Sequence, residues 1–528
     1  MPTLDWLHRE AAFQTAARVP TRVLRPHAAG HVFGDPAHAS NLLIQGDNLD
    51  ALKALLPFYR GRVKCIFIDP PYNTKSAFEH YDDNLEHSQW LSLMLPRLQL
   101  LRELLSEDGS IWVTLDDAEA HYFKVLGDEV FGRGNFIIDI SWRKRDGPPN
   151  DRKLGSVQDH LFVWARRRES TSKKTVAEEG FNLMERTEKA DAQYQVFTEP
   201  SGPDARGPFR KIDTTANGKG GRYVESLFYA IQNPYTGEQV WPRKGTCWRH
   251  SREEMTRLQA DGRLFWGVKG TATTPMRKLF KSEAKAGMSS PGIWEDAGLN
   301  QHASAEMEKL FGEKAAFETP KPEALLQRII HIATNPGDLV LDSFLGSATT
   351  AAVAHKMGRR WIGIEMGEHA VTHCLPRLQK AVAGEQGGIS QAVLWQGGGG
   401  FQMLQLGAPL FDEQGDIHPE VRFADLAAFI WMRETGTALP LDVAPKTVRL
   451  PLIGVHEGAA YYLLFNGILG DRRPAGGNVL TTAVLQVLNE LCGHEGPKVI
   501  YGEACRLGDA RLAAESITFK QLPQAVPK

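Results

Sequence analysis

The segment Val63–Ile68, VKCIFI, constrains the fold more than any other stretch of the sequence. It is too continuously apolar for a strand with one face in water, so we expect it inside a parallel sheet that is covered on both faces. Segments with helical spacing separate it from further apolar strands, and this alternation predicts an α/β fold with a doubly wound, mostly parallel sheet. The other predicted strands are 41–44, 110–115, 161–164, 338–342 and 361–364, and the clearest predicted helices are 49–59, 88–105 and 322–330. Pro96 is expected to kink the second of these helices or to mark its true start.

The composition is that of a large globular chain. Its 528 residues are 42% hydrophobic and 23% charged, which fits roughly two to four domains. There is no run of about 18 apolar residues to suggest a membrane span, and the first residues, MPTLDWLHRE, lack the basic and apolar regions of a secretion signal. The five cysteines are scattered and form no CxxC pair, so neither a disulfide framework nor a metal site is expected. These features predict a cytoplasmic protein.

The regular alternation is interrupted in the middle of the chain. Residues 166–314 are rich in Gly, Pro, Lys and Thr and show few clean periods, which indicates an inserted module with irregular structure. We therefore predict an N-terminal arm at 1–35 and two halves of one α/β domain at 36–165 and 315–390. After the Gly-rich stretch 396–400, a small C-terminal α/β or α+β domain is predicted at 401–528.

Basic residues are concentrated in the middle of the chain, although the net charge of the whole is only −2. Lys and Arg outnumber Asp and Glu by eight to three in 142–168 and by sixteen to seven in 206–285, whereas the counts are eleven and fourteen from Phe401 onward. A mixture of basic residues, glycines and aromatic rings suits a groove for a polyanion, and a solvated face over an ordinary core explains it equally well. The aromatic residues concerned are Tyr223, Phe228, Tyr229, Tyr235, Trp241, Trp248, Phe265 and Trp266.

The first motif with chemical content is Asp342-x-Phe344-x-Gly346-Ser347, followed by Glu365 at the tip of the next predicted strand. A strand, a glycine turn and a helix N-terminus form a cradle for a nucleotide-type cofactor, and Glu365 is placed to accept hydrogen bonds from two ribose hydroxyls. The turn is not GxGxxG, so a cofactor with a ribose and no phosphate, such as S-adenosylmethionine, fits best. The structural alternative is a glycine that only permits close packing of strand and helix.

The second motif, Asp69-Pro70-Pro71-Tyr72, ends the strand Val63–Ile68. An exocyclic amine on a nucleobase is a poor nucleophile until hydrogen-bond acceptors localise its lone pair. The Asp69 carboxylate and the Pro70 carbonyl can accept from such an amine, and consecutive prolines hold that carbonyl rigidly. Tyr72 can stack on a base that has rotated out of the double helix. The structural alternative is an ordinary turn, because Asp-Pro-Pro is common turn chemistry.

These motifs resemble those of the amino-group DNA methyltransferases. DPPY at Asp69–Tyr72 precedes DSFLGSATT at 342–350 with a long insert between them, which is similar to the β group of these enzymes. NLLIQGDNLDALKAL, IDPPYNT, GSIWVTLDD, TPKPEALLQRII and DSFLGSATT together resemble the modification (Mod) subunits of type III restriction–modification systems. The stretch VIYGEACRLGDARLAAESITFKQLP is similar to the ends of such subunits. Ala348 departs from the pattern, because many relatives carry a further glycine there.

The resemblance implies a sheet of the S-adenosylmethionine-dependent methyltransferase type and a role for each matching residue. The tetrapeptide Asp69, Pro70, Pro71 and Tyr72 would hold the flipped adenine, and the insert would be the target recognition domain. The cofactor residues would be Asp47, Thr319, Lys321, Asp342, Phe344, Gly346, Ser347 and Glu365, with Asp47 at the cofactor adenine and Thr319 and Lys321 near its methionine end. Judged from the residues alone, Asp47 and Lys321 are each more often a helix cap or a solvated charge.

We therefore expect a sequence-specific N6-adenine DNA methyltransferase in a restriction–modification or related defence system. Its expected partners are double-stranded DNA, a second copy of the chain in a homodimer, and a restriction subunit. An N4-cytosine methyltransferase is the nearest alternative, because some of these enzymes also carry aspartate at the head of the motif. A DNA-binding specificity subunit without activity would leave Asp69 and Tyr72 unused. A Rossmann dehydrogenase would lack its phosphate-binding glycines.

Overall fold

The structure is a computed structural model that describes residues 3–73, 86–148, 153–168, 180–217, 223–312, 317, 319–437, 439, 450–470 and 477–525. The chain forms two compact units, one made of Met1–Asn182 with Pro291–Lys528 and one made of Leu183–Ser290. No helix among the described residues is long and apolar enough to cross a membrane. Lys219 and Arg222, two of the basic residues of the segment 206–285, lie outside the described residues.

The chain up to Asn182 alternates helices and strands. The helix that contains Pro96 continues through it from His87 to Leu104, so Pro96 does not mark the start of a helix, contrary to one of the two expectations. In chain order the elements are α1 (Arg9–Arg18), β1 (Arg22–Pro26), β2 (Val32–Gly34), β3 (Asn41–Gln45), α2 (Asn48–Tyr59), β4 (Val63–Ile68), α3 (His87–Leu104), β5 (Leu105–Leu115), α4 (Ala120–Gly127), β6 (Phe136–Arg143) and β7 (Gln158–Ala165).

The unit Leu183–Ser290 consists of short strands and turns around two small aromatic cores. Its elements are α5 (Glu188–Asp191), β8 (Phe209–Asp213), β9 (Thr215–Asn217), β10 (Ile231–Gln232), β11 (Gln239–Val240), β12 (Thr246–Trp248), α6 (Arg252–Ala260), β13 (Leu264–Phe265) and β14 (Met276–Phe280). This unit lies within the insert predicted at 166–314 and is shorter at both ends.

The regular alternation resumes after Ser290. The elements up to residue 409 are β15 (Ile293–Trp294), α7 (Asn300–Phe311), α8 (Glu323–Ala333), β16 (Leu339–Asp342), α9 (Thr349–Lys356), β17 (Arg360–Glu365), α10 (Leu375–Val382) and β18 (Gly400–Pro409). Those that follow are α11 (Phe423–Thr435), β19 (Leu452–His456), β20 (Ala459–Leu463), β21 (Val479–Leu480), α12 (Thr482–Cys492), β22 (Lys498–Gly502), β23 (Ala504–Cys505), α13 (Asp509–Ala514) and β24 (Ile517–Gln521).

One 11-stranded sheet organises the larger unit. Its order is β1-β18-β3-β17-β16-β4-β5-β7-β6-β15, and β2 also pairs with β18. The neighbours from β18 to β5 are all parallel, and β7 is antiparallel to both β5 and β6. The central strands are buried, as their continuous apolar sequences require, with Ile66, Leu341 and Ile362 at most 1% exposed. The predicted doubly wound, mostly parallel sheet is therefore confirmed.

The borders of the predicted domains differ from the structure at the two ends of the chain. β18, which the sequence assigns to the C-terminal domain beginning at 401, pairs with β3 in the main sheet. β1 and β2, from the predicted N-terminal arm, pair with β18. The Gly-rich stretch before β18 is thus a connection to another strand of the same sheet. The separate C-terminal sheet begins later and has the order β19-β20-β22-β24.

Candidate active site

The two sequence motifs meet at one edge of the sheet. β4 and β16 are parallel neighbours, with Ile66 opposite Leu341, and β16 is also a parallel neighbour of β17. Asp69 follows the carboxyl end of β4, while Asp342 and Glu365 are the last residues of β16 and β17. Because the carboxyl ends of parallel strands lie at the same edge, the three carboxylates approach one another there.

Asp69 has one carboxylate oxygen that is paired and one that accepts no hydrogen bond from the described residues. Lys321, just before α8, donates from its ammonium to Asp69 Oδ2. Asp69 Oδ1 is buried, and none of the described residues donates a hydrogen bond to it. Burial raises the pKa of Asp69, and the Lys321 ammonium opposes that rise. A buried acceptor without a donor is costly in the free protein, so this oxygen is poised to accept from a ligand.

The two prolines after Asp69 hold the chain against the core. The Pro71 carbonyl accepts a hydrogen bond of 2.8 Å from the indole Nε1 of Trp90, which is fully buried in α3. Pro70 is buried as well. The fixed φ angles of the prolines and this indole anchor together determine the path of the backbone, which is the rigidity expected from the sequence.

Tyr72 is fixed at both its hydroxyl and its ring. Its hydroxyl lies 3.0 Å from Thr114 Oγ1 and donates to Asp159 Oδ2 at 3.2 Å. The ammonium groups of Lys321 and Lys144 lie 5.1 and 5.9 Å from the ring centroid. Burial, with the charge of Asp159 next in importance, raises the pKa of Tyr72 well above its ordinary value, so the phenol stays protonated.

Sequence reasoning missed the residues that anchor this tyrosine. Asp159 in β7 is 1% exposed and accepts a hydrogen bond of 2.5 Å from Lys144, which follows β6. Thr114 lies in β5 and is fully buried. One signal was available, because Asp159 is a charged residue at the start of the apolar run HLFVWA. Lys144 belongs to the basic surplus of 142–168, and the structure gives it a partner within the protein.

The loop between β16 and α9 is shaped by two buried carboxylates. Asp342 Oδ1 accepts from the backbone N–H of Phe344 at 3.0 Å, and Oδ2 accepts from Thr350 Oγ1 at 2.6 Å. Glu365 Oε2 accepts from the backbone N–H of Gly346 at 2.7 Å. Asp342 and Glu365 are only 2% and 3% exposed. They therefore hold the loop in one conformation before any cofactor enters.

Two positions in this loop adopt left-handed backbone conformations. Gly346 has a φ of 55°, and a Cβ there would lie 3.3 Å from the Phe317 ring, so glycine suits both the turn and the close approach. Ala348 has a φ of 61° and is fully buried. A glycine at this position would remove the strain that alanine retains there.

Asp47, another predicted cofactor residue, lies at the start of α2. Asp47 caps α2 by accepting from Leu49 N at 2.8 Å, and it pairs with Arg97 at 3.1 Å. Its neighbour Gly46 donates from its backbone N–H to the Glu365 carbonyl at 3.0 Å, so Asp47 lies beside the cofactor loop.

Ser347 points away from that loop into the protein interior. Its hydroxyl lies 3.0 Å from Thr349 Oγ1, and its carbonyl accepts from buried Arg377 at 3.1 Å. Thr319 is exposed. Of the predicted cofactor residues, the structure thus brings together Asp342, Phe344, Gly346 and Glu365 and leaves Ser347 on the buried side of the loop.

The charges at this edge suit a cationic cofactor. Burial raises the pKa of Asp342 to about 7, and the charges of Asp69 and Glu365 add to the rise. A ligand that carries positive charge would relieve this repulsion, whereas the pyrophosphate of a dinucleotide would increase it. S-adenosylmethionine carries a sulfonium and an ammonium group and no phosphate, so the residues present fit this cofactor. No cluster of metal-binding side chains occurs in the part of the chain that the structure describes.

Comparison with known proteins identifies the family of this chain. Residues 63–375 match the DNA methylase family of N6 and N4 methyltransferases. The chain is 33% identical over 423 residues, 71% of its length, to the "Probable type III restriction-modification enzyme HindVI Mod subunit" of Haemophilus influenzae, and 30% identical over 379 residues, 66% of its length, to the StyLTI Mod subunit of Salmonella typhimurium. It spans 55% of the length of each of these relatives.

A shorter match is closer in sequence. Over 72 residues, 14% of this chain and 24% of the relative, the chain is 51% identical to the DNA adenine methyltransferase YhdJ of Escherichia coli strain K12. The family match covers both motifs and more than half of the sequence. This chain belongs to the DNA methylase family.

Proposed function

We propose that this chain transfers a methyl group from S-adenosylmethionine to the N6 amine of adenine in double-stranded DNA, as the modification component of a restriction–modification system. The proposal rests on the buried Asp69 Oδ1, which accepts no hydrogen bond from the described part of the chain and belongs to the same motif as the anchored Tyr72 ring. A buried acceptor next to an aromatic platform fits a flat base that carries an exocyclic amine. The resemblance to Mod subunits supports the biological context.

The residues of this chain prepare the amine for attack. Asp69 Oδ1 accepts one of the two amine hydrogens, which localises the nitrogen lone pair, and the Pro70 carbonyl accepts the other. The Tyr72 ring, which Asp159 holds in place, stacks on the base. S-adenosylmethionine, when bound, would supply the methyl group, and its sulfur would keep the electron pair of the bond that breaks as the new N–C bond forms. The methylated amine would then lose one proton to solvent and end as a neutral methylamine.

The assignment of adenine rests on the motif and on the adenine-specific relative. Methylation of plasmid DNA by the purified chain, followed by digestion to nucleosides and mass spectrometry, tests it. We expect N6-methyldeoxyadenosine. N4-methyldeoxycytidine would replace this proposal with the cytosine alternative, and DNA binding without any methylated nucleoside would identify a specificity subunit. Modification-sensitive sequencing of the product would add the recognition sequence.

We further propose that Leu183–Ser290 is the target recognition domain. Trp241, Phe228 and Tyr223 are 52%, 36% and 45% exposed, and their rings are adjacent, with centroids 5.5 and 6.5 Å apart. Exposed basic residues, Arg243 and Lys244, follow this aromatic patch directly in the chain. Cations beside aromatic rings suit contact with nucleic acid.

Fewer basic residues of this unit are free to contact phosphates than the sequence suggested. Several of the basic residues of 206–285 form ion pairs within the unit, so they are not all available to phosphates. Arg263 pairs with Asp261 and Glu283, and buried Lys278 pairs with Glu199 and with Asp204. The DNA-binding role is therefore carried by the remaining exposed residues.

Two partners are proposed from the resemblance to Mod subunits, namely a second copy of this chain and a restriction subunit. The C-terminal sheet β19-β20-β22-β24 has its own apolar core. Val455 in β19 and Leu491 in α12 are nevertheless 50% and 55% exposed. Light scattering of the full chain at micromolar concentration tests self-association. A mass of one chain would reject the homodimer, and a mass of two would support it.

A further inference from the structure

Lys321 connects the two halves of the methyltransferase domain. It precedes α8 in the cofactor half, yet its ammonium donates to Oδ2 of Asp69, 252 residues earlier in the chain. Its side chain is 9% exposed, and its ammonium also lies 5.1 Å from the centroid of the Tyr72 ring. The ammonium therefore contacts the catalytic motif directly, rather than standing as a solvated charge at the start of a helix.

The surroundings of Asp69 show what this contact supplies. The other charged or titratable groups that act on Asp69 are Asp159 and Tyr72, and Asp342 lies close enough for its charge to be coupled to that of Asp69. Lys144 is already paired with Asp159. Without Lys321, Asp69 would be a partly buried carboxylate that faces two other carboxylates, a situation that favours protonation.

We propose that Lys321 is the positioning residue of Asp69. Its ammonium holds Oδ2 so that Oδ1 faces the amine, and it keeps the carboxylate in its charged, hydrogen-bond-accepting form. A protonated Asp69 could donate to the amine nitrogen and would no longer localise its lone pair. The catalytic meaning of this inference rests on the proposed function, whereas the ion pair itself does not. Contact of Lys321 with the cofactor would be a separate role, and the tests below distinguish it from the positioning of Asp69.

The first test needs no substrate. We expect Lys321→Met to leave the partly buried Asp69 carboxylate without its cation, with its pKa raised further above the value in the unfolded chain. The folded state then binds a proton more tightly than the unfolded state, so its stability falls as pH rises through the raised pKa. The urea midpoint of Lys321→Met should therefore fall relative to wild type between pH 5.5 and pH 8.

The double variant Lys321→Met/Asp69→Asn decides the matter. It carries no buried charge at this position, so at pH 8 it should be more stable than Lys321→Met alone, also if the single variant fails to fold. A double variant that is no more stable than Lys321→Met at pH 8 overturns the inference. This result is independent of whether the protein methylates DNA, so it remains decisive if the proposed function fails.

The second test measures chemistry. In single-turnover methylation at saturating S-adenosylmethionine, the acid limb of the pH–rate profile of Lys321→Met should move to higher pH by about one unit or more. Lys321→Arg should restore the position of the limb. Lys64→Met is the matched control, because Lys64, near the start of β4, forms an ion pair of 2.6 Å with Asp108 of β5 outside the site. If the pH–rate profile of Lys321→Met matched that of wild type and only cofactor binding were weaker, Lys321 would be a residue that binds the cofactor and the inference would be overturned.

Discussion

At the scale of single residues, the site consists of carboxylates at the carboxyl ends of neighbouring strands. Asp69 Oδ1 has no donor among the described residues, and Asp342 shares its surroundings with two further carboxylates. We propose that Asp69 faces the amine, whereas the oxygens of Asp342 and Glu365 accept hydrogen bonds that hold the loop between β16 and α9.

Cofactor affinity should depend on the protonation of Asp342, whose pKa burial raises to about 7. A cationic cofactor binds best to the carboxylate form, so affinity should rise as pH increases from 5.5 to 7.5, by about tenfold or more. Isothermal calorimetry with S-adenosylmethionine over this range checks the prediction and also measures the protons released. Asp342→Asn should bind more weakly and show a flatter pH dependence. An equally steep profile in Asp342→Asn would assign the titration to another group.

At the scale of elements, the strands that carry the site could be predicted and their long-range contacts could not. β4, β16 and β17 have continuous apolar sequences that only a buried parallel strand explains. The sequence assigns β18 to another domain because the glycine-rich stretch 396–400 ends at its first residue. Nothing in the local sequence reveals that β18 pairs with β3.

In the site, too, the residues of local motifs could be predicted and the contacts between distant residues could not. The motifs identified Asp69, Asp342 and Glu365, because each ends a strand. The contact of Lys321 with Asp69 joins residues 252 positions apart, and the anchoring of Tyr72 by Asp159 depends on how β7 pairs with β5. Such contacts follow from sheet order, which periodicity within a single sequence does not determine.

The turn at the start of α9 provides a stability prediction. Ala348 has a φ of 61° and Ala352 is an ordinary buried position of the same helix. Glycine at 348 relieves left-handed strain while losing a buried methyl, so Ala348→Gly should change the free energy of unfolding by less than about 1 kcal/mol. Ala352→Gly loses a methyl and helix propensity without compensation and should cost about 1–2 kcal/mol. Urea denaturation compares the two, and equal losses would contradict the strained conformation.

At the scale of the whole molecule, the two units have separate tasks. The larger unit holds the motifs for methyl transfer, and Leu183–Ser290 is proposed to bind DNA. DNA binding and cofactor binding should therefore respond to different substitutions.

Replacing Arg243, Lys244 and Lys269, which are exposed in Leu183–Ser290, by alanine should weaken DNA binding. The slope of log affinity against log salt should become shallower by about 0.9 for each phosphate that the variant no longer neutralises. S-adenosylmethionine binding should stay unchanged. Arg511→Ala/Lys520→Ala is the control, because these residues pair with Glu515 and Glu434 in the C-terminal part. Fluorescence anisotropy at several salt concentrations measures both variants, and an unaltered slope in the triple variant would contradict a recognition role for this surface.

Single-turnover methylation by Asp69→Ala shows whether Asp69 acts in methyl transfer rather than in holding the cofactor. With saturating cofactor and DNA, we expect the rate to fall by on the order of a hundredfold or more, because one preorganised hydrogen-bond acceptor is removed. Calorimetry on the same variant should show S-adenosylmethionine affinity close to that of wild type, whereas Glu365→Ala should lose affinity first. An Asp69→Ala protein that methylates DNA at a rate within about tenfold of wild type would contradict the catalytic role of this carboxylate.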